Sequence, residues 1–181
     1  MRRHAWAFAI ALLFSSIAVQ SQDEFAARKP AVQVVSIEAA PLSKGKAAPV
    51  VLKFRVASGF HVNSNKPNSE LLIPTALKLD TPTDLSLGNI QYPDGEQLAL
   101  SFSPTDKLSV YTGDFTVQAT ARAVGTLRPG SYRVHGELHY QACDNNACYP
   151  PKSVPVAFDV KVEKAKPKPR GNPAQSPHVH N

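Results

Sequence analysis

Four stretches of the chain alternate apolar and polar residues with a period of two. They run over residues 50–56, 115–121, 132–142 and 154–160. Because successive side chains of a strand point to opposite faces, this pattern predicts strands with one buried face. The residues expected to face the core are Leu52, Phe54, Val117, Leu138, Tyr140, Val156 and Phe158.

Shorter segments between these runs predict further strands and turns. Residues 32–39 and 98–102 have the composition of strands, and 60–63 are expected to continue the strand that precedes them. Pro74 favours an edge strand or a bulge, because proline has no backbone N–H to donate within a sheet. Proline and polar residues predict a turn at 103–106.

The order of these elements predicts the fold class. No stretch has the apolar spacing of a helix longer than a turn or two. Roughly seven to nine short strands separated by turn residues, without internal repeats, are typical of an antiparallel β-sandwich. The sequence therefore predicts an all-β fold.

The two termini differ in composition from the segment between them. A basic head followed by an apolar run over residues 5–19 makes residues 1–20 a predicted secretory signal peptide. The apolar run is shorter than the roughly 20 residues that span a membrane. We expect an exported mature chain, periplasmic or secreted, with no membrane span. Residues 21–30 are predicted to be a flexible lead-in, 31–162 the folded domain, and 163–181 a disordered, basic, proline-rich tail.

The charge of the chain is unevenly distributed. The formal net charge is +6, yet residues 19–160 hold 13 basic and 13 acidic side chains. The excess positive charge therefore lies in the two terminal segments. A folded part with balanced charge argues against nucleic acid as a partner.

The chain has two cysteines, Cys143 and Cys148, which are separated by Asp-Asn-Asn-Ala. Asp and Asn favour turns because their side chains bond to nearby backbone and tolerate unusual φ angles. With a period-two run on each side, this spacing predicts a hairpin turn that brings the sulfurs close enough to bond.

Spacing leaves two interpretations of this pair open. As a structural bond, a disulfide closing so short a loop contributes only about 2 kcal/mol. As a redox pair, a bond in an exposed turn is accessible to an attacking thiolate. Export to an oxidising compartment is compatible with both.

Three segments carry a family resemblance: YQACDNNACYPP, SGFHVNSNKPNSELLIPTALKL and LSVYTGDFTV. Together they resemble the amino-terminal periplasmic domain of the DsbD family of thiol:disulfide interchange proteins, over most of residues 32–162. The resemblance implies an immunoglobulin-like sandwich with both cysteines on a hairpin. It also implies that the pair takes electrons from a thioredoxin-like domain or a DsbD- or CcdA-type membrane reductase, and passes them to oxidised periplasmic proteins.

The resemblance also implies roles for individual residues. Cys148 would form the mixed disulfide with a partner and Cys143 would resolve it, although spacing does not distinguish the two. No metal, flavin or nucleotide cofactor is expected, since the electrons travel in the cysteine pair. The residues expected to line the pair are Phe60, His61 and Asn63 by motif, Phe102 as a cap, and the flanking Tyr140 and Tyr149.

Two alternatives remain open. The chain could be a non-catalytic exported β-sandwich, a binding or accessory module with a structural hairpin disulfide. A His/Cys metal site is also geometrically conceivable, because one strand face holds by parity His135, Glu137, His139, Gln141 and Cys143. The resemblance favours the redox pair over both.

Overall fold

The structure, a computed structural model, describes residues 30–43, 45–100, 103–125 and 127–164. The predicted signal peptide and nearly all of the predicted lead-in and tail lie outside these residues. Within them, no helix is long and apolar enough to cross a bilayer. The described residues form eleven strands: β1 Val32–Ala39, β2 Ala48–Val56, β3 His61–Asn63, β4 Ala76–Asp80, β5 Leu85–Gln91, β6 Glu96–Leu100, β7 Ser103–Tyr111, β8 Asp114–Ala123, β9 Gly130–Tyr140, β10 Ala142–Cys143 and β11 Lys152–Val162.

These strands form three sheets, and their neighbours pair in antiparallel fashion. One sheet has the order β1-β2-β8-β5 and a second has the order β11-β9-β4. Residues from these two sheets share one hydrophobic core. The third sheet, β10-β3-β7-β6, carries one of the cysteines. The fold is an all-β, immunoglobulin-like antiparallel sandwich, as predicted.

The period-two pattern accounts for the core. In β2, Leu52 and Phe54 are fully buried, and they lie opposite Val117 and Phe115 of β8. The rings of Phe54 and Phe115 stack with centroids 5.4 Å apart. Each fully buried side chain of this kind contributes about 1.5–3 kcal/mol. All seven residues predicted to face inward are buried, so this prediction is confirmed.

Two further predictions match the strands that form. The first strand occupies residues 32–39, as its apolar pattern indicated. Pro74 lies just before β4, which is the edge strand of its sheet. A proline there removes no ladder hydrogen bond.

The prediction that residues 60–63 continue the preceding strand is wrong. After β2 the chain turns at Gly59, whose φ of +82° lies in the left-handed region that glycine adopts without strain. Phe60 N–H donates to the carbonyl of Ala57, 3.1 Å away, and closes this turn. The next residues therefore form β3, which belongs to a different sheet from β2.

The predicted turn at 103–106 is also wrong, because β7 begins at Ser103. Ser103 pairs with Leu100, and the register between β6 and β7 shifts between Leu98 and Leu100. Pro104 lies within this irregular stretch, where its missing N–H breaks no regular ladder. Proline therefore did not mark the end of the strand.

Candidate functional site

The long hairpin of β9 and β11 ends just before the cysteines. Its register runs without interruption from Gly130 opposite Val162 to Tyr140 opposite Lys152. Beyond Tyr140 the chain joins the third sheet, where Cys143 of β10 pairs with β3. The predicted strand over 132–142 is therefore two strands in different sheets, and the cysteines lie beyond the long hairpin.

Cys143 and Cys148 form a disulfide, with their Cα atoms 3.9 Å apart. They are also each other's partners in an isolated antiparallel bridge. The prediction that the turn brings the two sulfurs within bonding distance is confirmed.

Asp144 organises the turn between the cysteines. Its Oδ1 accepts hydrogen bonds from the N–H groups of Asn146, at 2.8 Å, and Ala147, at 3.0 Å. Its own N–H donates to the carbonyl of Ala147, 2.9 Å away. A side chain that bonds to backbone two and three residues ahead explains why an Asp-Asn-Asn sequence folds tightly here.

The second oxygen of Asp144 faces Tyr149. The Tyr149 hydroxyl donates to Asp144 Oδ2, 2.5 Å away. This bond is the main reason that the pKa of Asp144 lies below its usual range, and the backbone N–H groups of the turn act in the same direction. The ring of Tyr149 lies 5.9 Å from that of Phe60, centroid to centroid. Phe60 and Tyr149 thus form an aromatic pair beside the cysteine turn.

The two sulfur-bearing residues differ in exposure. Cys143 is fully buried, whereas Cys148 is half-buried. A thiolate from another protein can therefore approach Cys148 more directly than Cys143. The sequence does not predict this difference in exposure, because each cysteine directly follows an alanine and lies at one end of the same turn.

His61 lies beside Cys143 on the side opposite Cys148. It is the register partner of Cys143 across β3 and β10, and it is 3% exposed. Its Nε2 is buried and has no hydrogen-bond partner among the described residues. Burial lowers the pKa of His61, and the nearby Asp144 carboxylate opposes this shift. An unpaired buried polar group costs about 1–3 kcal/mol, so its presence needs a reason.

Gln141 connects three segments around the site. Its Oε1 accepts from Asn63 Nδ2, at 3.0 Å, and from the N–H of Ile73, at 3.2 Å. Its Nε2 donates to the carbonyl of Tyr149, 3.3 Å away. Sequence reasoning did not assign Gln141 to the site, although its place in the YQAC motif was the available signal.

The predicted lining residues occupy different places. Phe60, His61, Asn63 and Tyr149 all contact the cysteine turn or its immediate support. Tyr140 is buried in the core, where burial raises its pKa and hydrogen bonds with the backbone of Val32 and Ala31 oppose the rise. Phe102, the expected cap, lies outside the described residues.

The face that suggested a metal site does not reach the cysteines. His135 is exposed on β9, whereas Cys143 belongs to another sheet and is buried. In the described part of the chain, no three His, Cys, Asp or Glu side chains are placed to hold a metal ion.

The sequence matches the model of the N-terminal domain of thiol:disulfide interchange protein DsbD over residues 24–159. The chain belongs to this family. The DsbD N-terminal family is one of thiol–disulfide interchange domains, so a cysteine pair at this turn fits the family.

Two solved structures are similar to this member of the DsbD N-terminal family. One is the reduced N-terminal domain of DsbD from Neisseria meningitidis, 29% identical, with 62% of this chain and 75% of that chain covered and a TM-score of 0.40. The other is the N-terminal periplasmic domain of ScsB from Proteus mirabilis, which is 12% identical. The match covers 74% of this chain and 47% of that chain, with a TM-score of 0.50. The ScsB likeness shows a shared fold, and this chain spans about half of that domain. No curated protein matches the chain.

Proposed function

We propose that this chain is an exported electron relay. Its Cys143–Cys148 pair takes electrons from a thioredoxin-like domain or a DsbD- or CcdA-type membrane reductase, and delivers them to oxidised periplasmic proteins. The observation that carries the proposal is the disulfide itself, which joins a buried Cys143 to a half-buried Cys148 across a tight turn. Membership of the DsbD N-terminal family supports the same chemistry.

Reduction of the domain begins at Cys148. A donor thiolate attacks Cys148 Sγ, the disulfide breaks, and Cys143 leaves as a thiolate with the electron pair. A second donor thiol then displaces Cys148 from the mixed disulfide. The donor is now a disulfide, and the domain holds two electrons and, after protonation, two thiols. The exposure of Cys148 supports this direction of attack.

Delivery is the same sequence in reverse. The Cys148 thiolate attacks a disulfide of the oxidised protein, and one sulfur of that protein leaves as a thiolate. Cys143 then attacks Cys148 Sγ, which restores the domain's disulfide and releases the second sulfur of the protein. No cofactor enters either step, because both electrons remain on sulfur.

The surrounding residues have supporting roles in this proposal. Phe60 and Tyr149 form the aromatic wall against which a partner docks, and Phe102 is proposed as a cap over the disulfide. Asn63 and Gln141 fix the strand and the turn relative to each other. His61 is adjacent to the resolving cysteine.

The proposed location follows from residues 1–20, whose pattern is that of a signal peptide. Amino-terminal sequencing of the protein recovered from the periplasm or medium should start near residue 20. An intact Met1 on a cytoplasmic protein would exclude the proposed route.

Equilibration with glutathione buffers tests the relay against a structural disulfide. An exchanging pair should have a reduction potential above about −300 mV, and a structural bond one below it. In parallel, a reduced thioredoxin-like donor at micromolar concentration should open the disulfide within minutes. A potential below the limit, together with no reaction with the donor, would favour a binding or accessory module with a structural bond.

A further inference from the structure

Three residues lie in a row across adjacent backbone segments at the site. Cys143 pairs with Cys148 on one side and with His61 on the other. Directly opposed residues of an antiparallel pair project to the same face, with Cβ atoms about 4.5–5.5 Å apart. Cys143 therefore lies between Cys148, to which its sulfur is bonded, and the imidazole of His61.

One nitrogen of this imidazole makes no hydrogen bond within the described part of the chain. His61 Nε2 is buried, and among the described residues it has no hydrogen-bond partner. Its neighbour Cys143 is fully buried as well. A thiol generated at Cys143 has limited contact with water, so loss of its proton requires a nearby acceptor.

We propose that His61 is the base that accepts the proton of the Cys143 thiol when Cys143 resolves a mixed disulfide. The inference rests on the proposed function, and it deepens that function by assigning the proton. The proton moves from Cys143 Sγ to His61 Nε2 as the Cys143–Cys148 bond forms. At the same time the bond from Cys148 to the partner's sulfur breaks, and the partner leaves as a thiolate. In the reductive direction, His61 takes a proton from water and passes it to Cys143 as that sulfur leaves.

The charges around His61 fit this role. Burial lowers the pKa of His61, so the free imidazole is neutral at pH 7 and ready to accept a proton. Asp144 is the charged group that acts on it, and its carboxylate stabilises the imidazolium that forms. On the other flank of β3, Tyr111 lies opposite Val62. It therefore projects to the other face of the sheet, where its hydroxyl donates to Asn65 Oδ1 and stays protonated.

The test measures separately the attack by Cys148 on a small disulfide and the later resolution by Cys143. The reduced chain is mixed with less than one equivalent of 5,5′-dithiobis(2-nitrobenzoate), and release of thionitrobenzoate is followed by stopped-flow absorbance. The first release reports attack by Cys148, and the second reports resolution by Cys143. In the wild type, the rate of the second release should rise with pH through an inflection below about 6.5, the ordinary pKa of histidine.

The variant His61→Gln keeps a polar side chain but cannot take the proton. At pH 7 its second release should slow by at least about tenfold, in line with the loss of a general base. Its inflection should move towards the ordinary thiol pKa of about 8.5. The first release should not change. The control His135→Gln, at an exposed position of β9, should leave both releases as in the wild type.

An equal fall in both releases, or no change in the second, would overturn the role of His61. If His61→Gln does not fold, the wild-type profile decides alone, because an inflection near 8.5 and none below 6.5 also overturns it. Absence of a second release from the wild type at any pH is a different failure. It would overturn the proposed relay, and this inference with it.

Discussion

Asn63 Nδ2 donates a hydrogen bond to Gln141 Oε1, 3.0 Å away, and so links β3 to the residue between β9 and β10. The same Asn63 amide also donates to the carbonyl of Ile73, at 3.0 Å. These bonds join the fully buried Asn63 to two half-buried partners. They hold the strand that carries His61 in register with the segment that carries Cys143.

Replacing Gln141 with alanine should destabilise the domain. The change removes Oε1, the acceptor of one hydrogen bond from Asn63 Nδ2 and one from the N–H of Ile73, and each such bond contributes about 0.5–1.5 kcal/mol. Urea unfolding followed by circular dichroism measures the loss. The exposed Gln118 of β8 supplies the control, and Gln118→Ala should change the free energy of unfolding by no more than about 0.5 kcal/mol. Equal stabilities of the two variants would show that the Gln141 contacts do not support the fold.

The ionised Asp144 side chain should stabilise the fold in a pH-dependent way. Its pKa is lowered in the folded state, so folding favours the carboxylate. This contribution is fully present above the ordinary aspartate pKa of about 3.9, and it is lost as the pH falls through the lower folded pKa. The gap in melting temperature between the wild type and Asp144→Asn should therefore be larger at pH 7 than at pH 2.

The carboxylate of Asp114 also contributes to the pH dependence of stability, and its contribution must be separated from that of Asp144. Arg55 lowers the pKa of Asp114 mainly through a hydrogen bond, so part of the acid sensitivity of the wild type comes from that pair. Repeating the comparison in an Asp114→Asn background removes this source. If the difference in melting temperature between the proteins with Asp144 and with Asn at position 144 stays constant from pH 2 to pH 7, the assigned role of Asp144 is contradicted.

Reduction of the disulfide should leave the domain folded. The closed loop is short, so the bond contributes only about 2 kcal/mol, whereas a domain of this size is stable by about 5–15 kcal/mol. Most of the core lies in the sheets β1-β2-β8-β5 and β11-β9-β4, neither of which contains a cysteine. Near-ultraviolet circular dichroism with and without a phosphine reductant tests this. Cooperative unfolding at room temperature on reduction would identify the bond as structural.

The sequence predicted the sandwich core well, because burial there follows a local rule. Residues 50–56 alternate apolar and polar side chains, and a strand with one buried face follows directly from that period. The sequence-based predictions failed where pairing between distant strands decides which sheet a segment joins or where a strand begins. Whether β3 continues β2 or joins another sheet depends on the turn at Gly59, and Pro104 is accommodated by a register shift with β6 that sequence does not show.

The site was predictable in part for a similar reason. The cysteine spacing and its turn-forming residues indicated that the two sulfurs would meet, and they do. The difference in exposure between Cys143 and Cys148 arises from the pairing of β10 with β3, which is a long-range contact. The role of Gln141 as a shared acceptor likewise depends on segments distant in sequence, Asn63 and Ile73.

Trapping of the mixed disulfide tests the electron relay most directly. Cys143→Ser and Cys148→Ser proteins are incubated with a thioredoxin-like domain that keeps only its attacking cysteine, activated as a mixed disulfide with thionitrobenzoate, and the products are separated by non-reducing electrophoresis. Cys143→Ser should accumulate a mixed disulfide through Cys148, because the accessible sulfur remains and no thiol is left to resolve it. Cys148→Ser should trap little, since its remaining thiol is buried. Absence of any adduct in both variants, or a stronger adduct through Cys143, would contradict the account.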